Sequence, residues 1–449
     1  MVGGATALWG LAIGLRPLGD NSALTHLATG RLILSDGIPR SDPFSFTAAG
    51  EPWTVYSWLA STLMALAERA GGGNAIQLGR AGLTCGLAVL AWVLSRPAGV
   101  LAGRILAVAP VLVVGTSAWT ERPLLFSLVI MAVVVLLAER DQAPPWLVLP
   151  VMWVWVNVHG SFPLGLVYLG ARLAGRRIDR APPGGLPRLA ALAGAGALLG
   201  ALNPLGAKLL VFPLELLSRN DLLSRVSEWR SPNFSRPPNL ALLGMILLAL
   251  LLCSRRRSFE DGLPAVVFGA AAAIAVRNAP LATIVLLPVL ARGLSGLGTV
   301  RGEGRSGLTA TGAAGVAAVG AVLVVTALQQ PAYDLGKYPV RQVRWMEEQG
   351  LFERRVATED FVGNYLIAEQ GADAEVFFDD RFDMYPPPVI RDSIALLDGR
   401  EGWQERLDRY GVDVVLWQRS RPLAGLLALD PGWEVVRRDK GWLVAVRRP

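Results

Sequence analysis

The run Pro123-Leu-Leu-Phe-Ser-Leu-Val-Ile-Met-Ala-Val-Val-Val-Leu-Leu-Ala138 decides the fold class of this chain, because it contains no charged side chain. Such a segment is typical of a helix that crosses a bilayer, which takes about 20 mostly apolar residues. Further apolar runs lie along the chain at residues 3–19, 53–69, 74–94, 99–117, 146–171, 188–203, 238–253, 263–276, 279–291 and 308–328. We therefore predict a polytopic α-helical membrane protein with about eleven transmembrane helices.

The composition of the 449 residues points the same way. They are 52% hydrophobic and 18% charged, whereas a soluble domain carries about 25% charged residues. Cys85 and Cys253 both lie inside apolar runs, which argues against a disulfide framework and against a thiolate metal site. His26 and His159 are the only histidines, so little room remains for a His-based metal site.

Charge is distributed unevenly along the chain. Residues 331–449 carry 17 basic and 21 acidic side chains, and the preceding residues carry 26 basic and 15 acidic ones. The basic excess falls in short loops between apolar runs, which indicates membrane topology and not nucleic-acid binding. With a cytoplasmic N-terminus and one crossing per run, three arginine clusters share the cytoplasmic side. These clusters are Arg172, Arg176, Arg177, Arg180 and Arg188; Arg255, Arg256 and Arg257; and Arg292, Arg301 and Arg305.

The same topology predicts two domains. Residues 1–330 form the transmembrane domain, with outer loops at 20–52 and 204–237, and residues 331–449 form a small extracytoplasmic α/β accessory domain. Helical patterns in the second domain cover 339–350 and 402–410. Its predicted strands are Glu375–Phe378, Val412–Trp417, Trp433–Val436 and Trp442–Val446.

The first outer loop places a carboxylate where the first helix leaves the membrane, at Asp20. A carboxylate at that boundary is costly unless it faces a protein cavity or a partner. From spacing alone, two interpretations of the loop stay open. In one, Asp20 caps the following helix and Asp42 caps a turn; in the other, these carboxylates take part in chemistry.

Several short motifs follow one another in order along the chain. They are Asp20; His26-Leu-Ala-Thr-Gly30-Arg31; Gly37-Ile-Pro-Arg-Ser-Asp42-Pro-Phe-Ser-Phe-Thr47; Trp53; Trp58; Arg122-Pro-Leu-Leu-Phe-Ser127; Trp155-Val-Asn157-Val-His159-Gly-Ser-Phe; Leu202-Asn203-Pro204; Glu228-Trp229-Arg-Ser-Pro232; Val276-Arg277-Asn278; Gly363-Asn-Tyr365-Leu; and Phe378-Asp379-Asp380-Arg381-Phe-Asp383-Met-Tyr385. In this order they resemble bacterial GT-C-type membrane glycosyltransferases, which use polyprenyl-phosphate-linked sugars. Two positions depart from that pattern, because Ser22 and Ser57 stand where such proteins often carry acids. The departures argue against a bound divalent metal and leave open an inactive copy.

The resemblance implies transfer of a sugar from a polyprenyl-phosphate donor to an acceptor hydroxyl, at the outer face of the bacterial inner (plasma) membrane. This reaction needs a base for the hydroxyl proton and cations for the departing phosphate. Asp20 is the predicted general base, and Asp42 either shares that role or orients the acceptor. The predicted substrate-binding residues are His26, Arg31, Trp58, His159, Glu228, Trp229, Arg277 and Asn278. The sugar, the acceptor (lipid, glycan or protein) and a divalent metal are left open.

Structural interpretations compete at several of these positions. Arg277 also suits an interfacial arginine, and His159 also suits a hydrogen bond between helices. The acidic cluster Asp379–Asp383 resembles a metal loop, but we interpret it as a solvated turn at the end of a strand. Two other functions remain alternatives: a transporter or flippase for a lipid-linked or polar solute, and a catalytically inactive scaffold in cell-envelope assembly. No internal symmetry of the kind common in transporters is visible in the sequence.

Overall fold

The computed structural model describes residues 1–140, 144–218, 227–296 and 309–449. The chain folds into two compact units, of which the first contains residues 1–18 and 67–332 and the second contains residues 19–66 and 333–449. Residues 20–52, predicted to be an outer loop of the domain 1–330, thus belong to the same compact unit as residues 333–449. Arg301, Arg305 and residues 219–226 of the predicted loop 204–237 lie outside the described residues.

Most of the described chain is helical. In chain order the helices are α1 (Val2–Gly14), α2 (Asn21–Asp36), α3 (Trp58–Leu94), α4 (Leu101–Ala118), α5 (Leu124–Ala138), α6 (Val148–Val158), α7 (Pro163–Ile178), α8 (Leu186–Leu199), α9 (Lys208–Ser218), α10 (Pro237–Arg256), α11 (Phe259–Ile274), α12 (Ala279–Gly293), α13 (Ala310–Leu328), α14 (Val340–Glu348), α15 (Asp360–Gln370), α16 (Pro387–Leu397), α17 (Trp403–Arg409) and α18 (Pro422–Leu429).

The predicted count of about eleven membrane-spanning helices is not supported. Among the described residues, four helical segments are long and apolar enough to cross a membrane: Trp58–Ala98, Leu101–Ala118, Pro237–Arg256 and Ala310–Leu328. Other apolar helices are shorter. The 15 residues of α5, at 1.5 Å per residue, extend only about 23 Å, whereas the hydrocarbon core is about 30 Å thick.

Two breaks in the helices follow glycine and polar signals in the sequence. The long apolar run 146–171 is divided between α6 and α7, and His159 ends α6 in an extended conformation. The run 74–94 and residues 58–69 of the run 53–69 lie in one helix, α3, whose backbone is non-helical at Gly71 and Gly72. Gly72 has φ +63°, a left-handed conformation that glycine adopts without steric cost.

Ion pairs connect four helices of the first unit. Arg172 of α7 pairs with Glu139, which follows α5, and with Glu260 of α11. Arg292 of α12 pairs with the same Glu139 and with Asp261. Two arginines of the predicted cytoplasmic clusters are therefore neutralised by carboxylates within the helix bundle, as buried charges require.

The second unit contains a four-stranded sheet. Its strands are β1 (Val356–Thr358), β2 (Val414–Gln418), β3 (Trp433–Arg438) and β4 (Trp442–Arg447), in the order β1-β2-β4-β3. The β1 and β2 strands are parallel, the other two pairs are antiparallel, and β3 carries an irregularity between Val435 and Arg437. A small C-terminal sheet is therefore present, and three of the predicted strands overlap strands of this sheet.

The predicted strand Glu375–Phe378 does not join that sheet. It instead meets the first outer loop, through a parallel bridge between Ser45 and Val376. The Val376 amide donates to the Phe44 carbonyl at 2.9 Å, and the Phe46 amide donates to the Val376 carbonyl at 3.1 Å. Backbone hydrogen bonds thus tie the loop to the C-terminal part of the unit.

Close backbone approaches fix the helices of the second unit. A Cβ added at Gly30 of α2 would lie 2.0 Å from the carbonyl oxygen of Ser61, near the start of α3. A Cβ added at Gly363 of α15 would lie 2.0 Å from the carbonyl oxygen of Phe378. Both positions require glycine, because even one methyl group would separate the two backbones.

This close approach predicts opposite effects for two glycine-to-alanine substitutions in helices. Gly363→Ala should lower the free energy of unfolding by about 1–3 kcal/mol, because the methyl group clashes with a carbonyl oxygen. Gly425→Ala in α18 should be neutral or raise it by up to about 1 kcal/mol, since no described atom lies within 4 Å of its Cβ position. Denaturant unfolding of the purified chain in detergent measures both, and equal effects would contradict the packing.

Candidate functional site

The second unit contains a small polar pocket beside the start of α2, which we call the α2 pocket. Its volume is about 50 Å³. One face of α2, the segment that precedes α3 and the turn after residue 378 supply its walls. The lining residues are Ser22, Thr25, His26, Thr29, Trp53, Val55, Tyr56, Ser57, Asp380, Arg381 and Asp383. Hydroxyl groups, carboxylates and aromatic rings therefore converge on one concave surface.

Asp20 is the N-cap residue of α2. Its side chain accepts a hydrogen bond from the Ser22 amide at 3.1 Å, which satisfies one donor that the helix leaves without a partner. The Ser22 hydroxyl donates to Asp380, and the Asn21 amide nitrogen lies 3.5 Å from the same carboxylate. The structure thus brings Asp380 to the first turn of the helix that Asp20 caps.

Asp42 is held in a buried group of four side chains, Asp42, Asp379, Arg381 and Tyr385, which we call the Arg381 cluster. Arg381 donates to both oxygens of Asp379, at 2.8 and 2.6 Å, and forms an ion pair with Asp42 at 2.7 Å. The Tyr385 hydroxyl donates to Asp379 at 2.7 Å. The predicted solvated turn is therefore wrong for Asp379, whose exposed fraction is 0%.

Asp42 has several partners within the loop. Its carboxylate accepts hydrogen bonds from the amides of Phe44 and Ser45, both at 3.1 Å, and from the Ser45 hydroxyl. Arg381 contacts one of the same two oxygens. These contacts agree with the turn interpretation of Asp42, and its catalytic role stays a prediction.

Burial and neighbouring charges shift the pKa values of Arg381 and Tyr385 in the Arg381 cluster. Burial alone would lower the pKa of Arg381, but the charges of Asp379 and Asp42 raise it well above its usual value. Burial, reinforced by the Asp379 carboxylate, raises the pKa of Tyr385 well above its ordinary range. The guanidinium also lies 4.6 Å from the centre of the Trp53 ring, a cation–π contact on the pocket wall.

The other predicted residues of the second unit occupy different places. His26 lines the α2 pocket, and its Nδ1 lies 3.0 Å from the Ser61 hydroxyl. Arg31 donates to the Ala368 carbonyl at 2.6 Å, and this bond joins α2 to α15. Trp58 begins α3 and is not among the residues that line the pocket, where Trp53 is present instead.

The remaining predicted residues lie in the first unit. His159 is 9% exposed, and its Nδ1 lies 2.9 Å from the Ser161 hydroxyl. Glu228 pairs with Arg122. The Arg277 guanidinium lies 4.2 Å from the Trp229 ring centre.

Asn278 follows Arg277 directly and donates to the Ala271 carbonyl at 3.0 Å. The structure therefore groups Arg277 with Trp229, and Arg122 with Glu228, at two neighbouring 3₁₀ turns, Ser227–Trp229 and Val276–Asn278. The backbone joins these turns, because the Val276 amide donates to the Arg230 carbonyl at 3.0 Å.

Among the described residues, no group of three or more His, Cys, Asp or Glu side chains is placed to hold a metal ion. Ser22, one of the two positions that depart from the sequence pattern, donates a hydrogen bond to Asp380.

Sequence reasoning missed several pocket residues. Thr25 and Thr29 follow Ser22 at helical spacing, so the sequence pattern could have predicted that these three residues share one polar face of α2. The approach of Asp380 to Ser22 left no such signal, because the two residues are 358 positions apart along the chain.

Comparison with known proteins bears on the fold. No protein-family model matches the chain, and no curated protein matches it. Among solved structures, the chain is similar to the archaeal oligosaccharyltransferase AglB from Archaeoglobus fulgidus in complex with an inhibitory peptide and a dolichol-phosphate. The identity is 12%, the TM-score is 0.56, and the match covers 92% of this chain and 69% of that one.

Two more structures of the Archaeoglobus fulgidus oligosaccharyltransferase match equally well. The apo form has 12% identity and a TM-score of 0.58, covering 92% of this chain and 69% of that one. The complex with Zn and sulfate has the same identity and TM-score, covering 93% and 68%. At this identity the likeness establishes the fold alone, and this fold agrees with the GT-C resemblance found in the sequence.

The Arg381 cluster predicts a large stability difference between two arginine substitutions. Arg381→Gln should lower the free energy of unfolding by about 3–5 kcal/mol, because it leaves Asp42 and Asp379 as uncompensated buried charges. Arg400→Gln removes a solvent-exposed pair with Asp398 and should cost less than about 1 kcal/mol. Denaturant unfolding of the two variants in detergent measures the difference, and a similar small loss in both would refute the cluster.

Proposed function

We propose that the protein is a membrane glycosyltransferase that moves a sugar from a polyprenyl-phosphate donor to an acceptor hydroxyl. The observation that carries the proposal is the α2 pocket, which is lined by Ser22 in the first turn of the helix that Asp20 caps and combines hydroxyl, carboxylate and aromatic side chains. Its setting is a fold similar to that of an oligosaccharyltransferase solved with a dolichol-phosphate and a peptide. We place it in the bacterial inner membrane, with the second unit outside the cytoplasm.

The proposed reaction is a single displacement at the anomeric carbon. The acceptor oxygen forms a bond to C1 of the sugar while the bond from C1 to the phosphate oxygen breaks. The lipid phosphate leaves with that electron pair, and the hydroxyl proton passes to the Asp20 carboxylate. A positioned base contributes about 10²–10⁴-fold to such a step.

The α2 pocket suits the acceptor side of this reaction. Asp380 already accepts a hydroxyl hydrogen bond from Ser22, and it presents the acceptor group that an incoming alcohol would use. Trp53 and Tyr56 offer aromatic surface beside it. In this proposal Asp42 acts indirectly, because its ion pair with Arg381 positions Trp53 and the turn that carries Asp380.

The departing phosphate requires positive charge. The sequence predicts Arg277 for this task, because a planar guanidinium suits phosphate oxygens. Within the first unit, the Arg277 guanidinium lies over the Trp229 ring. We expect Arg277→Lys to weaken donor use while leaving the fold unchanged.

Replacing Asp20 by asparagine tests the base directly. Asparagine is also a good N-cap residue, so Asp20→Asn should keep α2 intact while lowering the transfer rate by about 10²–10⁴-fold. The matched control is Asp36→Asn at the exposed end of the same helix, which should leave the rate unchanged. Release of lipid phosphate from a radiolabelled polyprenyl-phosphate sugar, in proteoliposomes supplied with envelope extract as acceptor source, provides the measurement.

Other outcomes distinguish the alternatives. Unchanged lipid-phosphate release by a folded Asp20→Asn variant would exclude Asp20 as the base. Movement of the labelled lipid across the bilayer, without its cleavage and independent of Asp20, would favour a transporter or flippase. No turnover and no movement in the parent protein would leave the scaffold function.

A further inference from the structure

We propose that the first unit binds the headgroup of an anionic phospholipid in a cavity between α5 and α8, here called the α5–α8 cavity. This inference does not depend on the proposed glycosyltransferase activity. The cavity has a volume of about 160 Å³, room for a group many times larger than one water molecule. Its walls include Leu137, Arg140, Pro145, Leu186 and Arg188.

Two arginines supply the charge of the α5–α8 cavity. Arg140 follows the C-terminal end of α5, and Arg188 lies in the first turn of α8, so the two guanidinium groups come from different helices. Neither forms an ion pair with a carboxylate among the described residues, in contrast to Arg172 and Arg292 of the same unit. Two arginines beside one cavity are suited to a phosphodiester, whose oxygens accept the planar donor groups of arginine.

The apolar part of the α5–α8 cavity indicates a lipid and not a free anion. Leu137, Leu186 and Leu189 line it together with Pro145, and a small, fully hydrated phosphate gains nothing from such walls. The glycerol and acyl portions of a phospholipid would cover them. The combination of arginines and leucines thus matches a molecule that is charged at one end and apolar at the other.

The surroundings place the α5–α8 cavity at the level of the headgroups. The apolar helix α5 ends at Ala138, just before Glu139 and Arg140, and α8 begins at Leu186 after a short linker that contains Arg180. Trp146, next to Pro145, exposes 58% of its surface. Exposed tryptophan beside arginine is typical of a membrane–water interface, where basic pockets between helices bind lipid headgroups.

Lipid titration of the purified full chain tests the proposal, with bound lipid counted by native mass spectrometry. Phosphatidylglycerol should bind more tightly than phosphatidylcholine to the parent protein. Arg140→Gln combined with Arg188→Gln should weaken phosphatidylglycerol binding by about 30-fold, as expected for two interfacial arginines. The matched control, Arg255→Gln with Arg256→Gln, removes the same charge from the exposed end of α10 and should change binding less than twofold.

Two further arms keep the test decisive. Arg140→Lys combined with Arg188→Lys preserves the charge and should bind phosphatidylglycerol more tightly than the Gln double variant, although less tightly than the parent protein, which separates lost charge from lost folding. Glycerol 3-phosphate at millimolar concentration should not displace the lipid. Equal weakening in the two Gln double variants, or displacement by glycerol 3-phosphate, would overturn the proposal.

Discussion

A single guanidinium group holds together the part of the molecule where the candidate site lies. Arg381 is buried between Asp42, from the loop 20–52, and Asp379, two residues before it. A buried charge is tolerated only when an opposite charge is paired with it. If either chain segment moved away, the remaining charged side chains would be buried without a counter-ion. The position of the loop, and with it of Trp53, follows from this electrostatic requirement.

The α2 pocket results from the same arrangement. The turn that carries Arg381 also carries Asp380, which reaches the first turn of α2 through Ser22. Asp20 then completes the helix end as its cap. The polar groups of the pocket are therefore positioned by fixed backbone and ion-pair contacts, and a site built in this way needs little reorganisation when a polar ligand enters.

Hydropathy located most of the helices, but it did not predict how long they are. The apolar runs coincide with helices such as α4 and α10, because lipid and helix periodicity act over neighbouring residues. Helix lengths were harder to predict, since no local pattern in the sequence shows where α5 ends. The cluster Asp379–Asp383 was misjudged because its partner, Asp42, is remote in sequence, and a local pattern cannot reveal a distant counter-ion. The capping of α2 by Asp20, in contrast, depends on adjacent residues and was among the interpretations that spacing left open.

The second unit is assembled from two chain stretches, 19–66 and 333–449, and this matters while the protein is being made. All of residues 67–332 leave the ribosome between them, which at about 5–20 residues per second takes roughly 10 to 50 s. For that interval the nascent first stretch holds the Asp42 carboxylate without its counter-ion. Its final structure must therefore form after the helices of the first unit have been synthesised, and translation order separates the maturation of the two units in time.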